Sequence, residues 1–486
     1  RSHCHPKRQS SKAQGVRSHM EMIQQIAKMF LQVGDKVLNM LEGEFDYSSF
    51  QLDVEKLLNE LGRSICREVM ESADEWYRDN PKERKGWVVQ RRNESKSVLT
   101  PFGQMHYQRT YFRHKGTKKY AHLVDLAAGR KPHAKTELTV QAKLVGVATE
   151  MSYNKAGKGI WSVGSSDLCV SGQTVMNTIR RLPLANVEGN GERTKSKASV
   201  IHIQADEDHV HKQSGGTALA KLVYTTSGYV DSPSKRKRLS DVRYIAGLYK
   251  DNEPLCQEVY ESLDEVYGID LVEKIYVYGD GAPWIKELAD YLGATFLLDK
   301  YHINKYIKEC LAFCPELRGE LWKAVNSFDL KGVKQVFKKA KKAAITDREQ
   351  KRVAKCRKYL VGNWHGILAW KEQAEQVVGC SAEGHVSHVL SARLSSRPMA
   401  WSEKGIDQMA KLRAMRANGI SVEKHVLQQA KPNLALAEAV QHAIPAQREI
   451  LRKVSGEMFD NMPALRGSTR SIRKVLRAIS TTIINI

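Results

Sequence analysis

The sequence predicts a mixed α/β protein, in which strands first follow one another and then alternate with helices. Three observations lead there. Short apolar runs at residues 200–205, 219–226 and 244–249 read as consecutive strands. Two more runs, 274–278 and 294–298, alternate with helical patterns at about 257–267 and 283–292. From 302 to about 378 the pattern is helical throughout, and strand signals do not return. The prediction is therefore a sheet-containing core split by an all-helical insertion.

Taken in order, residues 1–19 carry five Lys/Arg and no acid, without apolar periodicity. They are expected to be disordered, and the first well-patterned helix opens at Met20. That helix places Ile23, Ile26, Ala27, Phe30 and Leu31 on one face. A second amphipathic helix is expected over about 53–77, striped by Leu57, Leu58, Leu61, Ile65 and Val69. Strands at 87–90 and 106–112 suggest a hairpin and complete an N-terminal region over 20–135. Its Tyr107, Tyr111 and Phe112 alternate with Arg109 and Arg113, which suits a DNA-facing strand and a half-buried one equally.

Residues 136–187 read as a cluster of short helices. The last starts at Ser171, an expected N-cap, and turns Val175 and Ile179 inward. Gln173, Asn177 and Arg180 stay outside, with Arg181 at the end. A polar-fronted helix closing such a cluster fits the recognition helix of a helix-turn-helix DNA-binding module. An ordinary capped surface helix fits as well. A polar, Gly-rich linker at 188–193 precedes the first part of the core, 196–302. The basic helical insertion follows at 303–378. The closing helix and C-terminal helices occupy 379–486, with breaks near Pro398, Gly419 and Pro432.

Charge narrows the function. Lys and Arg total 77 against 54 Asp and Glu, a net charge of +23. Such a surplus favours a polyanionic partner, because each neutralised phosphate releases condensed counterions. The insertion concentrates it: residues 331–358 hold twelve Lys/Arg against two acids. No apolar run is long enough to span a membrane and no secretory signal opens the chain, so a cytoplasmic, nucleoid-associated location is expected. The eight cysteines form no CxxC pair and read as reduced and packed. Cys4 with His3 and His5 lacks a second pair at zinc-finger spacing.

The candidate chemistry lies in carboxylates. Asp206 and Asp280 each follow an apolar strand, and strand ends are where open α/β sheets place ligands. Asp208 competes with Asp206 if its strand runs longer. A third carboxylate is sought on a helix, where Glu383 stands in the first turn ahead of the inward-facing Val386, Val389 and Leu390. The helix dipole accounts for a Glu there equally well, and Glu403 and Asp407 are alternatives. Carboxylates suit Mg²⁺ or Mn²⁺, and two such ions suit phosphodiester transfer.

Four segments carry a family resemblance. They are Ala205-Asp-Glu-Asp-His-Val210, Gly279-Asp-Gly-Ala-Pro-Trp-Ile285, Leu298-Asp-Lys-Tyr-His-Ile-Asn-Lys305 and Ser395-Ser-Arg-Pro-Met-Ala-Trp-Ser402. From Met20 onward the chain resembles transposases of the ISLre group of bacterial insertion sequences, within the wider DDE class. The resemblance implies an RNase H-like core with Asp206, Asp280 and Glu383 as an acidic triad holding Mg²⁺ or Mn²⁺, two ions in all. It implies a helical insertion between the second Asp and the Glu. It also matches Asp299 and His302 to an Asp-x-x-His element that would shape the site or touch DNA. Trp284 and Trp401 could stack on an unpaired base or simply be buried.

The function expected from charge, motifs and resemblance is DNA transposition. Hydrolysis at an element end would be followed by joining to target DNA, with the protein a homo-oligomer on double-stranded DNA. The rivals are a structure-specific nuclease, which cuts without joining, and a non-catalytic DNA-binding protein such as a domesticated transposase.

Overall fold

In the computed structural model, residues 28–41, 46–82, 84, 86–159, 169–183, 196, 198–230 and 238–428 are described. The start of the Met20 helix, residues 1–19 with Cys4, the Gly-rich linker, most of the 235–238 basic run and everything past 428 lie outside them. The described residues divide between two compact units. One is formed by residues up to Leu144 with Gly157–Val170 and Val426 onward, the other by Val145–Ala156 and Ser171–His425.

The first unit begins with helix α1, residues 28–40, where Phe30 is exposed. Helix α2, Tyr47–Asp79, outruns its predicted bounds because Asp46 caps it, accepting from the Ser48 and Ser49 amides. Its buried residues are Leu57, Met70, Ser72, Ala73, Asp74 and Tyr77, while Leu58 is exposed, so the stripe expected from periodicity is only partly used. Strands β1, Trp87–Thr100, and β2, Gly103–His114, form the expected hairpin, with β3, Tyr120–Ala121, beside β2. β1 is far longer than its apolar start because its polar middle pairs with β2 through two irregularities around Asn93, whose φ is 57°. The hairpin's aromatics take the half-buried role: Tyr107 and Phe112 are enclosed, and Arg109 pairs with Asp125. Buried Asp74 on α2 accepts from the Thr110 amide at 2.8 Å and its hydroxyl at 2.6 Å, tying helix to sheet. Helices α3, Leu123–Ala127, α4, Leu138–Ala148, and α5, Tyr153–Gly159, follow in the chain.

The second unit contains helix α6, Gly172–Arg180, and a five-stranded mixed sheet. The strands are β4, Val200–His211; β5, Thr217–Thr226; β8, Arg243–Gly247; β9, Lys274–Gly279; and β10, Thr295–Leu298. Between β5 and β8 a small hairpin intervenes, β6, Gly228–Val230, with β7, Arg238–Ser240. The sheet order is β10-β9-β4-β5-β8. β4, β5 and β8 run antiparallel in sequence, and β9 and β10 then add in parallel on the other side of β4.

One sheet face carries Ile201, Ile203, Ala205, Val223 and Val277. It packs against helices α7, Glu253–Tyr267, and α8, Pro283–Tyr291, through Leu255, Val259, Leu263, Ile285 and Leu288. Contact is close: a Cβ on Gly279 would come within 2.6 Å of Ile285 and 3.0 Å of the Ala205 carbonyl oxygen.

The helical stretch then runs through α9, Lys300–Cys310; α10, Glu316–Asn326; α11, Leu330–Ala343; α12, Asp347–Gly362; and α13, Trp364–Glu372. Asp329 caps α11, and Thr346 with Glu349 forms a capping box on α12. In α11, Val333, Val336, Phe337 and Ala340 are buried, whereas all twelve Lys/Arg of 331–358 are exposed. Cys256, Cys310 and Cys356 are buried free thiols. Helix α14, Ala382–Val386, passes into a π-helical turn, Ser387–Ser391, then α15, Ala392–Leu394; α16, Glu403–Ala417, and α17, Val422–Gln428, follow. Among the described residues no helix is long and apolar enough to cross a membrane.

Candidate active site

The site starts from one departure from expectation. β4 does not stop at Asp206; it continues to His211, paired residue by residue with β5. Side chains alternate along a strand, so Gln204, Asp206 and Asp208 share the face opposite the Ile201–Ile203–Ala205 core. Asp206 pairs across the ladder with Leu222 and Asp208 with Ala220, and both carboxylates are buried.

Burial makes these charges costly. Asp206 Oδ1 accepts from the Glu207 amide at 2.8 Å, while Oδ2 is buried without a hydrogen-bond partner. The Asp206 carboxyl is pushed up to about 7, first by desolvation and further by the charges of Glu383 and Asp280, against a lowering by the Glu207 amide and His302. Asp208 is also raised by burial, although Ser395 Oγ donates to its Oδ1 at 2.8 Å. Its Oδ2 has no partner either.

Two more strand ends bring polar groups alongside. Asp280 follows β9, the parallel neighbour of β4, and its Oδ1 accepts from the Ala282 amide at 2.8 Å. Gly281 makes that turn with φ +86°, and a Cβ there would meet the Asn363 side chain at 2.7 Å. Asp299 follows β10 and caps α9: Oδ1 accepts from the Tyr301 amide at 2.9 Å and Oδ2 lies 3.0 Å from His302 Nδ1. Glu383 arrives from α14, its Oε2 3.9 Å from His302 Nε2. The anchor for that approach is Gln204, which donates to the Gly379 carbonyl at 3.0 Å and accepts from the Ser381 amide at 2.7 Å. His385 stacks on Tyr224 with ring centroids 4.2 Å apart, seating the same segment.

The result is a cavity of about 450 Å³ lined by Asp206, Asp208, Asp280, His302 and Glu383, with Lys305, Tyr306 and Lys355 from the helical stretch. One ligand atom each from Asp206, His302 and Glu383 lie within 4.8 Å of one another. Clustered acids with an orphaned buried oxygen suit a divalent cation, which would satisfy that oxygen and offset the burial and like charge that raise Asp206. Hard oxygen donors fit Mg²⁺ or Mn²⁺.

Other expected residues stand elsewhere. Trp284 is buried in the core, its Nε1 donating to Glu207 Oε2 at 2.6 Å, and offers no face to a base. Trp401 is buried and donates to the Leu394 carbonyl. Glu403 lies 3.3 Å from Lys212, and Asp407 accepts from the Leu248 amide at 3.0 Å; neither lines the cavity. On α6, Ser171 caps as expected, Val175 and Ile179 are buried, and Gln173 donates to Asn177 at 3.1 Å. Arg180 is not free on the outside: it donates to Ser402 Oγ at 2.8 Å, and its Nε is buried without a partner. Arg181 is exposed. Asp208, the alternative to Asp206 if the strand ran longer, does share its face because β4 continues to His211; Gln204 and Ser395 were not singled out as site residues from the sequence. The readable signal was a polar residue at every second position of an otherwise apolar strand.

A family model described as "Uncharacterised protein family (UPF0236)" matches residues 41–431. The chain belongs to the UPF0236 family. A UPF0236 protein of Caldanaerobacter subterraneus subsp. tengcongensis is 34% identical over 450 residues, covering 91% of this chain and 93% of the relative. Another from the same organism is 36% identical over 432 residues, covering 88% of this chain and 90% of the relative. A UPF0236 protein from Streptococcus gallolyticus is 25% identical over 350 residues, 69% of this chain and 75% of that one. Among solved structures, the Drosophila P element transposase strand transfer complex aligns over 67% of this chain and 89% of its own, at 11% identity and a TM-score of 0.22, too loose a likeness to define a shared fold.

Proposed function

We propose that this UPF0236 protein is a DNA transposase with an RNase H-like core, cutting and joining DNA at a site formed by Asp206, Asp280 and Glu383. The observation that carries this reading is the meeting of three carboxylates, from two adjacent strands and a helix 103 residues beyond the second, around one cavity with an orphaned buried oxygen. A three-stranded antiparallel meander extended by two parallel strands beside its first strand supports the RNase H-like assignment. The motif resemblance to ISLre-group transposases supports the activity. So do the relatives' names: one joins eleven designations within a single organism and another joins four, as DNA that copies itself would produce.

Bound divalent cations would supply Lewis acidity and an attacking oxygen of lowered pKa. The chain's own residues do the rest. Asp206, Asp280 and Glu383 fix the positions of charge, and Gln204 holds the Glu383 segment against β4. Lys305 and Lys355 at the cavity wall neutralise phosphate oxygens, while the exposed basic face of α11 and α12 grips the flanking backbone. Water hydrolyses the phosphodiester at the element end, and the freed 3′-hydroxyl then attacks target DNA. Two active sites acting on two ends call for an oligomer on DNA.

The test uses purified protein, labelled DNA carrying candidate element ends, and Mg²⁺ or Mn²⁺ at matched salt. Asp280→Asn and Glu383→Gln are expected to abolish cleavage and joining while DNA binding stays equal or becomes slightly tighter. Undiminished cleavage by Asp280→Asn would remove the reading. Cleavage without joining would favour a structure-specific nuclease.

A further inference from the structure

The proposed site has a member that is not a carboxylate. His302 is buried, and both ring nitrogens have defined surroundings. Nδ1 lies 3.0 Å from Asp299 Oδ2, whose other oxygen is held by the Tyr301 amide. With Nδ1–H donating a hydrogen bond to that carboxylate, the neutral ring directs its Nε2 lone pair the other way. There it meets Glu383 Oε2 at 3.9 Å, within the group that also contains Asp206. Asp206 itself has one buried oxygen, Oδ2, without a hydrogen-bond partner.

A histidine whose far nitrogen is held by a carboxylate, with its near nitrogen among acidic oxygens, is the arrangement of a metal-ligating imidazole with its supporting acid. We propose that His302 Nε2 is a direct ligand of the divalent cation, making the donor set mixed nitrogen and oxygen, with Asp299 as the residue that positions the ring. This rests on the metal-site reading above and adds a ligand to it. Ligand atoms of a six-coordinate ion at about 2.1 Å lie up to about 4.2 Å apart. The three donors already lie within 4.8 Å, so modest side-chain rotation brings them into range. An imidazole nitrogen also has a consequence for metal choice: it favours Mn²⁺ and later transition ions over Mg²⁺, relative to an all-oxygen site.

The geometry also separates His302 from His209, the other histidine at the cavity. His209 is mostly exposed and lies 3.9 Å from Glu207 Oε1, on a carboxylate outside the three-residue group.

The experiment titrates the full chain with Mn²⁺, counts bound ion by electron paramagnetic resonance, and examines that ion by pulsed measurement of nitrogen coupling. Unaltered protein is expected to show imidazole ¹⁴N modulation, which converts to the ¹⁵N pattern when histidine alone is ¹⁵N-labelled. His302→Gln should lose the modulation and bind Mn²⁺ about tenfold or more weakly, with a smaller loss for Mg²⁺. His209→Ala, a surface change, should keep it. Should His302→Gln not fold, the labelled unaltered protein and His209→Ala still decide the matter. Bound Mn²⁺ without nitrogen coupling, or coupling that survives His302→Gln or vanishes in His209→Ala, overturns the assignment and leaves the carboxylate site standing. Mn²⁺ binding indifferent to Asp206→Asn and Asp280→Asn overturns both.

Discussion

Replacing Asp206 with Asn should stabilise the metal-free protein, by an amount that grows with pH. The Asp206 carboxyl sits at about 7 in the folded chain against an ordinary 3.8, chiefly because burial disfavours its charge. A folded value above the unfolded one means the native state binds the extra proton between those limits. Stability therefore falls as pH rises from about 4 to 7, and the full penalty is present above 7. About three pKa units at 1.36 kcal/mol each give roughly 4 kcal/mol as the upper limit, because the carboxyl interacts with the charges around it as well as being buried. Asn keeps the shape without the charge, and whatever its amide costs in hydrogen bonding does not vary over this range. The assay is urea unfolding of wild type and Asp206→Asn in chelator, from pH 4.5 to 8.5. The two midpoints should lie closest at the acid end and diverge through neutrality, with the variant higher. Saturating Mn²⁺ should then restore the wild type far more than the variant. A pH-independent difference, or a wild type that gains on the variant as pH rises, would refute the electrostatic argument.

Other outcomes follow from the same structure. Burial holds His202 at about 4, below the usual 6.5, so its contribution is present above 6.5 and is lost as pH falls through 4; His202→Gln should flatten that acid limb by roughly 3 kcal/mol in chemical denaturation. Phe337→Ala, emptying a buried position on α11, should cost about 3–5 kcal/mol and be visible as early melting of the helical stretch by hydrogen exchange. Arg180→Ala should register in thermal stability through its lost bond to Ser402, whereas exposed Arg181→Ala should leave stability alone and lower the salt slope of DNA binding by about one. Gln173→Ala and Asn177→Ala should relax sequence preference if α6 reads base edges; unchanged end binding in both would remove α6 as the reader.

The sheet's strands and the helices between them were legible because each is a local apolar run or periodic stripe bounded by its own turn residues. Asp280 was legible for the same reason: Ile275–Tyr278 must be buried, and Gly279 and Gly281 mark a close-packed turn on either side of it. The basic face of the insertion could be counted directly. Tertiary structure decided what depends on a distant partner. β1 extends through polar residues only because β2 lies alongside, and β4 passes Asp206 only because β5 pairs with it as far as His211. Leu58 and Phe30 fit their helical stripes yet remain exposed, because periodicity defines a face without saying what covers it. Arg180 has a hydroxyl from 222 residues away as its partner, where a local reading could only leave it free. Glu383 reaches the cavity through Gln204 and Ser381, 177 residues apart in the chain. Which residues carry charge and which segments must be buried can be read along the chain, since those are properties of side chains and their spacing. Which charges share one cavity was decided by packing, since hydrogen bonds and burial act across space without regard to distance along the chain.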